Sequence, residues 1–189
     1  MFPQPDPNLP DEQIAGREAY LLSLAQGPDA ALDSLATKSD PESMAHRLGI
    51  LLEHGRVGEA HALLAGREPH RRWANLAAYA FGRHGDADGA ERAIDCTKAD
   101  PDRVFEQRAA VGFAQGAIEC ILARSGRGKP LLRGMVTEDD RNLLRRVLRA
   151  VRNAVSFQGL QNLLEESACS LALISHLALN EKQDAARLA

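Results

Sequence analysis

"EHGRVGEA" (Glu53–Ala60) and "RHGDADGA" (Arg83–Ala90) decide how this chain reads. The stretches begin 30 residues apart, and each places His-Gly before an Ala five residues after the Gly. Glycine enters the left-handed conformation that closes a helix at no steric cost. The histidine before it sets a polar ring, or a positive charge, against the last free carbonyls. A small Ala early in the next helix lets two helices approach closely. Each stretch is predicted to be the turn of a helix hairpin, and two hairpins at a fixed spacing predict stacked repeats.

The flanks extend the pattern in both directions. Pro3, Pro5, Pro7 and Pro10 make residues 1–10 a flexible, extended arm. A helix over 12–25 carries Ile14, Tyr20, Leu21, Leu22 and Leu24, and "QGPD" (26–29) stops it. Pro28 suits the first turn of the next helix, which holds Ala31, Leu32 and Leu35. Asp40 or Ser39 caps a helix running from Pro41 to His54. The second hairpin ends at Asp100-Pro101. A long helix over 103–124 follows, in which Gly112 and Gly116 lower helix propensity and allow close packing on a neighbour. "RSGRGKPLLRG" (124–134) is a Gly- and Arg-rich connector. Thr137 caps a helix reaching about Ser156, with Leu143, Leu144, Val147, Leu148, Val151 and Val155 on one face. A Leu-rich helix over about 159–179 closes the pattern.

The 189 residues are 44 % hydrophobic but only 4 % aromatic, with Ala and Leu as the main apolar types. That bias favours helix over strand. The fold class is read as all-α, with stacked antiparallel helix hairpins followed by C-terminal helices. The organisation is an arm (1–10), helical repeats (11–124), a Gly/Arg-rich loop (125–136) and helices that continue or cap the array (137–189).

Trp73, Leu76, Ala77, Gly85, Ala90 and Pro101 follow the order of a large aromatic, Leu, small residue, turn Gly, Ala and terminal Pro. Leu48, Gly49, Gly55, Ala60 and Pro69 repeat it loosely, and Gly27, Ala31 and Pro41 mark an earlier copy. Over roughly residues 12–102 the chain resembles the tetratricopeptide (TPR) repeat proteins, at a period nearer 30 residues than their 34. The resemblance implies an α-solenoid that holds a protein or peptide partner on its concave face, in an adaptor, scaffold or chaperone role. It also implies that first-helix positions of the hairpins face the groove, here Arg47, Asn75 and Tyr79. Asn75 fits a backbone clamp best. Trp73, Tyr79 and Phe81 divide between two readings, packing between hairpins and lining the groove.

Charge is unevenly spread. Residues 124–152 carry nine Lys or Arg against three acids, whereas the whole chain has net charge −3. Arg141, Arg145, Arg149 and Arg152 fall on one helical face opposite the Leu/Val stripe, with Arg146 beside them. This face reads in three ways: a solvated surface neutralised by acids elsewhere, a dock for an acidic protein, or a nucleic-acid contact. No aromatics interleave the arginines, which disfavours base stacking.

No catalytic or cofactor site emerges. "SGRGKP" (125–130) lacks the Gly six residues before its Lys and the Ser or Thr after it, so it is not a phosphate loop. Asp139-Asp140 and Glu165-Glu166 are helix neighbours that point apart. The six histidines lack metal-ligand spacing, and Cys96, Cys120 and Cys169 read as buried free thiols. With no apolar run of membrane-spanning length and no leader-like N-terminus, the reading is a cytoplasmic, non-enzymatic binding module without cofactor or metal. Nucleic acid is the alternative partner, and the last helix is a candidate for self-association.

Overall fold

The computed structural model describes residues 11–99, 101, 103–125, 136–154 and 163–179. The proline arm, most of the Gly/Arg connector, Val155, Ser156, Leu160 and the last ten residues lie outside them, as do the side chains of Ile14 and Cys169. All regular elements among the described residues are α-helical: α1 (Asp11–Gln26), α2 (Pro28–Leu35), α3 (Pro41–Glu53), α4 (Val57–Leu64), α5 (Ala74–His84), α6 (Ala87–Asp95), α7 (Val104–Ser125), α8 (Glu138–Ala154) and α9 (Leu163–Ala178). No helix among them is long and apolar enough to cross a membrane.

The two quoted turns close by the same bonds. Gly55 and Gly85 have φ of 70° and 83°. The Arg56 amide donates to the Leu51 carbonyl at 2.8 Å, and the Asp86 amide to the Phe81 carbonyl at 2.9 Å. These span one residue more than a helical bond and use carbonyls the helix leaves open. Ala60 and Ala90 are both fully buried, as is Ala31 after Gly27. Side chains begin the next helices: Asp40 Oδ1 accepts from the Ser43 amide, and Asp86 Oδ1 from the Gly89 amide, each at 2.8 Å. Of the two residues that the sequence offered as the α3 cap, Asp40 is the one used. At α8, Thr137 Oγ1 accepts from the Asp140 amide, and Asp140 Oδ2 accepts from the Thr137 amide, a reciprocal capping box.

Every contact among these helices joins elements one or two places apart in the chain. The odd-numbered helices α1, α3, α5, α7 and α9 contact one another in series. The main core gathers Leu48 and Met44 of α3, Leu64 of α4, Trp73 and Phe81, Phe113 and Ile121 of α7, and the α8 stripe from Leu143 to Val151. A second, smaller cluster joins Ala15 and Ala19 of α1, Ala31 and Leu35 of α2, and Ile50 of α3.

α1 differs from the leucine stripe expected of it. Its buried face is Ala15 and Ala19, while Tyr20, Leu21 and Leu24 are 54 %, 43 % and 68 % exposed. As the first described helix, α1 contacts only α2 and α3, so one side meets no neighbour among the described residues.

The tightest crossing is between α5 and α7, and three glycines make it. A methyl at Gly112 would lie 2.6 Å from the Asn75 carbonyl oxygen, and one at Gly82 would lie 2.7 Å from the Phe113 carbonyl oxygen. One at Gly116 would collide with the Tyr79 carbonyl. The backbones therefore meet almost directly, and the residues flanking the glycines are brought to one surface.

Candidate functional site

That surface is a groove of about 570 Å³ across α3, α5 and α7. Each helix supplies positions three or four residues apart, which share a face. α3 gives Gly49, Leu52 and Glu53; α5 gives Asn75, Leu76 and Tyr79; α7 gives Arg108, Val111, Gly112 and Gln115. Gly49 and Gly112 leave the floor without side chains. A second hollow of about 310 Å³ shares Gly49, Glu53 and Leu76 and carries the groove on to Gly16 and Tyr20 of α1. The His46 ring packs over Gly16, where any Cβ would overlap it.

Tyr79 is half-buried and held in place. Its hydroxyl donates to Glu119 Oε2 at 2.7 Å, while Gln115 Nε2 donates to Glu119 Oε1 at 3.0 Å. Arg83 Nε lies 3.4 Å from the same carboxylate. Burial pushes the Tyr79 phenol above its usual pKa, and the Glu119 carboxylate adds to the shift. Tyr79 is thus a fixed aromatic wall that keeps its proton. Asn75, one turn earlier, makes no side-chain hydrogen bond among the described residues, so its amide keeps both donor and acceptor for a ligand. Trp73 and Phe81 are buried in the core, so the three aromatics split between packing and groove.

Arg47 does not join Asn75 and Tyr79. It lines a separate cleft of about 480 Å³ formed by α2, α3 and α4, beside Leu32, Arg56 and Glu59. It sits two positions from Gly49, about 200° round the helix, and so faces the other side of α3. Glu53 and Arg108, which the sequence reading passed over, are groove residues. Neither makes an ion pair among the described residues. Charged side chains on amphipathic helices carry no sequence signal that separates a groove wall from open surface.

The arginine face of α8 is largely engaged within the chain. Arg145 pairs with Glu138 at 3.1 Å, and Arg141 approaches the same carboxylate at 3.9 Å. Arg146 donates to both Glu91 oxygens and to Asp88, at 2.6–2.8 Å, and so fastens α8 to α6. Arg152 Nη2 lies 3.1 Å from Nε2 of the buried His176 on α9. Arg149 is exposed and lines a hollow of about 200 Å³ with Glu91, Asp95 and Glu106. Upstream, Arg124 meets the buried Asp140 at 3.3 Å.

No protein-family model, curated protein or solved structure matches the chain.

The His61 ring stacks on His84, with centroids 3.9 Å apart, and sets Nε2 3.4 Å from Asp86. Among the described residues no three His, Cys, Asp or Glu side chains gather as a metal site. Cys96 and Cys120 are free thiols, both with pKa pushed up by burial.

Proposed function

We propose that this chain is a TPR-like helical-repeat binding module, without enzymatic activity of its own, that holds an extended protein or peptide segment along the groove of its odd-numbered helices. The observation that carries the reading is the joint position of Asn75 and Tyr79. An amide unengaged among the described residues and an immobilised aromatic stand side by side over a glycine floor. A peptide backbone needs a donor and an acceptor together, and a side-chain amide supplies both. A rigid aromatic adds contact area at low entropic cost. The serial contacts of α1, α3, α5 and α7 give the groove its length, as in an α-solenoid. The pairing of Arg141, Arg145 and Arg146 with carboxylates favours this reading over a nucleic-acid one, because arginines already paired release few counterions on binding.

The test is a pull-down with the full chain and its Asn75→Ala variant from nuclease-treated source extract, with thermal unfolding of both. The expected outcome is a protein partner retained by the parent chain and weakened in the variant, at unchanged melting temperature. Equal loss of binding and stability, or a partner that disappears with nuclease, sinks the proposal.

A further inference from the structure

We infer that the groove selects an extended peptide carrying one basic and one acidic group about five residues apart, held by Glu53 and Arg108 respectively. The inference rests on the binding-module reading and adds the ligand's charge pattern to it.

Glu53 stands on α3 and Arg108 on α7, at opposite walls of the groove, with α5 between them. Neither has an ion-pair partner among the described residues. The polar groups that hold Tyr79 are already engaged: Arg83, Gln115 and Tyr79 all converge on Glu119. Among the described residues the groove therefore presents one unspent negative charge at one wall and one unspent positive charge at the other. They cannot neutralise each other across an intervening helix.

Spacing sets the ligand. Packed helix axes lie about 8–10 Å apart, and the glycine crossing puts α5 and α7 at the near end, so the α3 and α7 axes that carry the two charges are about 16–18 Å apart. An extended chain covers that distance in about five residues at roughly 3.3 Å each. Asn75 lies on the middle helix, where its amide meets the backbone halfway between the two charges. Leu52, Leu76 and Val111 offer apolar contact along the same path. A helical ligand, with a diameter of about 10–12 Å, would stand off the glycine floor and leave the Asn75 amide unused. Charges at the rim of an interface govern selectivity more than raw affinity. Each matched pair is accordingly worth about two- to fivefold in binding.

The experiment is selection from a random dodecapeptide display library on the immobilised full chain, repeated with Glu53→Lys, Arg108→Glu and Asn75→Ala. Circular dichroism and thermal unfolding check that each variant is folded. The expected result is enrichment of sequences with a Lys or Arg and an Asp or Glu about five positions apart. Glu53→Lys should shift the consensus to two acids at that spacing, and Arg108→Glu to two bases. These shifts hold whichever way the peptide runs. Peptides that depend on Asn75 but show no charge pair, or whose consensus ignores both reversals, overturn this inference and leave the groove reading standing. No enrichment, or enrichment indifferent to Asn75, overturns both.

Discussion

A methyl group added at Gly116 would run into the Tyr79 carbonyl and lie 2.9 Å from the Arg83 amide nitrogen. Both are backbone atoms in a helix and cannot turn aside. Replacing a mid-helix glycine with alanine normally stabilises a helix by about 1 kcal/mol. Here the sign reverses: Gly116→Ala is expected to cost about 1–3 kcal/mol as α5 and α7 are forced apart. Gly49→Ala, where nothing lies within 4 Å of the added methyl, should instead gain about 0.5–1 kcal/mol. Opposite shifts of the denaturation midpoint test the pair. The sequence marks Gly112 and Gly116 as costly to their helix, but it cannot mark Gly82, whose necessity depends on which backbone lies opposite. Asp40 gives a second test at this scale. Its bond from the Ser43 amide holds the carboxyl below the ordinary value of 3.8. The folded state binds this proton less readily than the unfolded chain. The cap's contribution is therefore full above the ordinary value and is lost as the pH falls through the lower folded one. Asp40→Ala should cost about 1 kcal/mol at neutral pH. The gap between parent and variant should close in acid, as read by urea denaturation at a series of pH values.

Between elements, the two faces of α8 differ in how far the sequence describes them. Its apolar stripe was legible: Leu143, Leu144, Val147, Leu148 and Val151 are all buried. The partners of its arginines were legible only in part: Glu138, beside Arg141 and Arg145, is on the same helix, whereas the acids that engage Arg146 come from distant sequence. Arg146, read as a flanking residue, is the one that reaches Glu91 and Asp88 on α6. Those carboxylates hold its guanidinium further above its usual pKa, and Arg146 in turn lowers that of Asp88. Arg146→Met should therefore loosen α8 from α6 and lower the denaturation midpoint clearly. Arg145→Met, which gives up only the exposed Glu138 and Asn142 contacts, should change stability by less than about 0.5 kcal/mol. Equal effects from the two variants would show that the arginine face is uniform after all. Leu21 and Leu24 of α1 stay exposed for a related reason. Leucine spacing identifies a helix, but the buried side depends on where the neighbouring helix crosses, and α1 is crossed at Ala15 and Ala19.

Across the whole molecule, the all-α class and the hairpin turns were readable because a left-handed glycine and a buried alanine impose local demands that few residues meet. The groove was readable only in part. The TPR resemblance pointed to Asn75 and Tyr79 but also to Arg47, which lines another cleft, whereas Glu53 and Arg108 needed the packing of three helices to bring them to one surface. What the sequence could not convey is how stability is distributed. Among the described residues, contacts run only between helices one or two places apart, which would let cooperativity pass step by step as it does in a repeat array. The α1–α2 pair has its own small cluster, tied to α3 through Ile50 and linked to the main core by the partly buried Leu32. This pair should open independently of the rest, exchanging its amide hydrogens faster than α5 and α7, whose backbones lie in near contact. Ile50→Ala removes the bridging side chain at a cost of about 2 kcal/mol or more, equivalent to roughly thirtyfold faster exchange. If the array is stepwise, native-state hydrogen exchange will show that acceleration in α1 and α2 while α5 and α7 keep their protection. Equal acceleration in all four helices would mean that the two clusters unfold as one unit, and that the groove cannot open at its α1 end without loss of the whole fold.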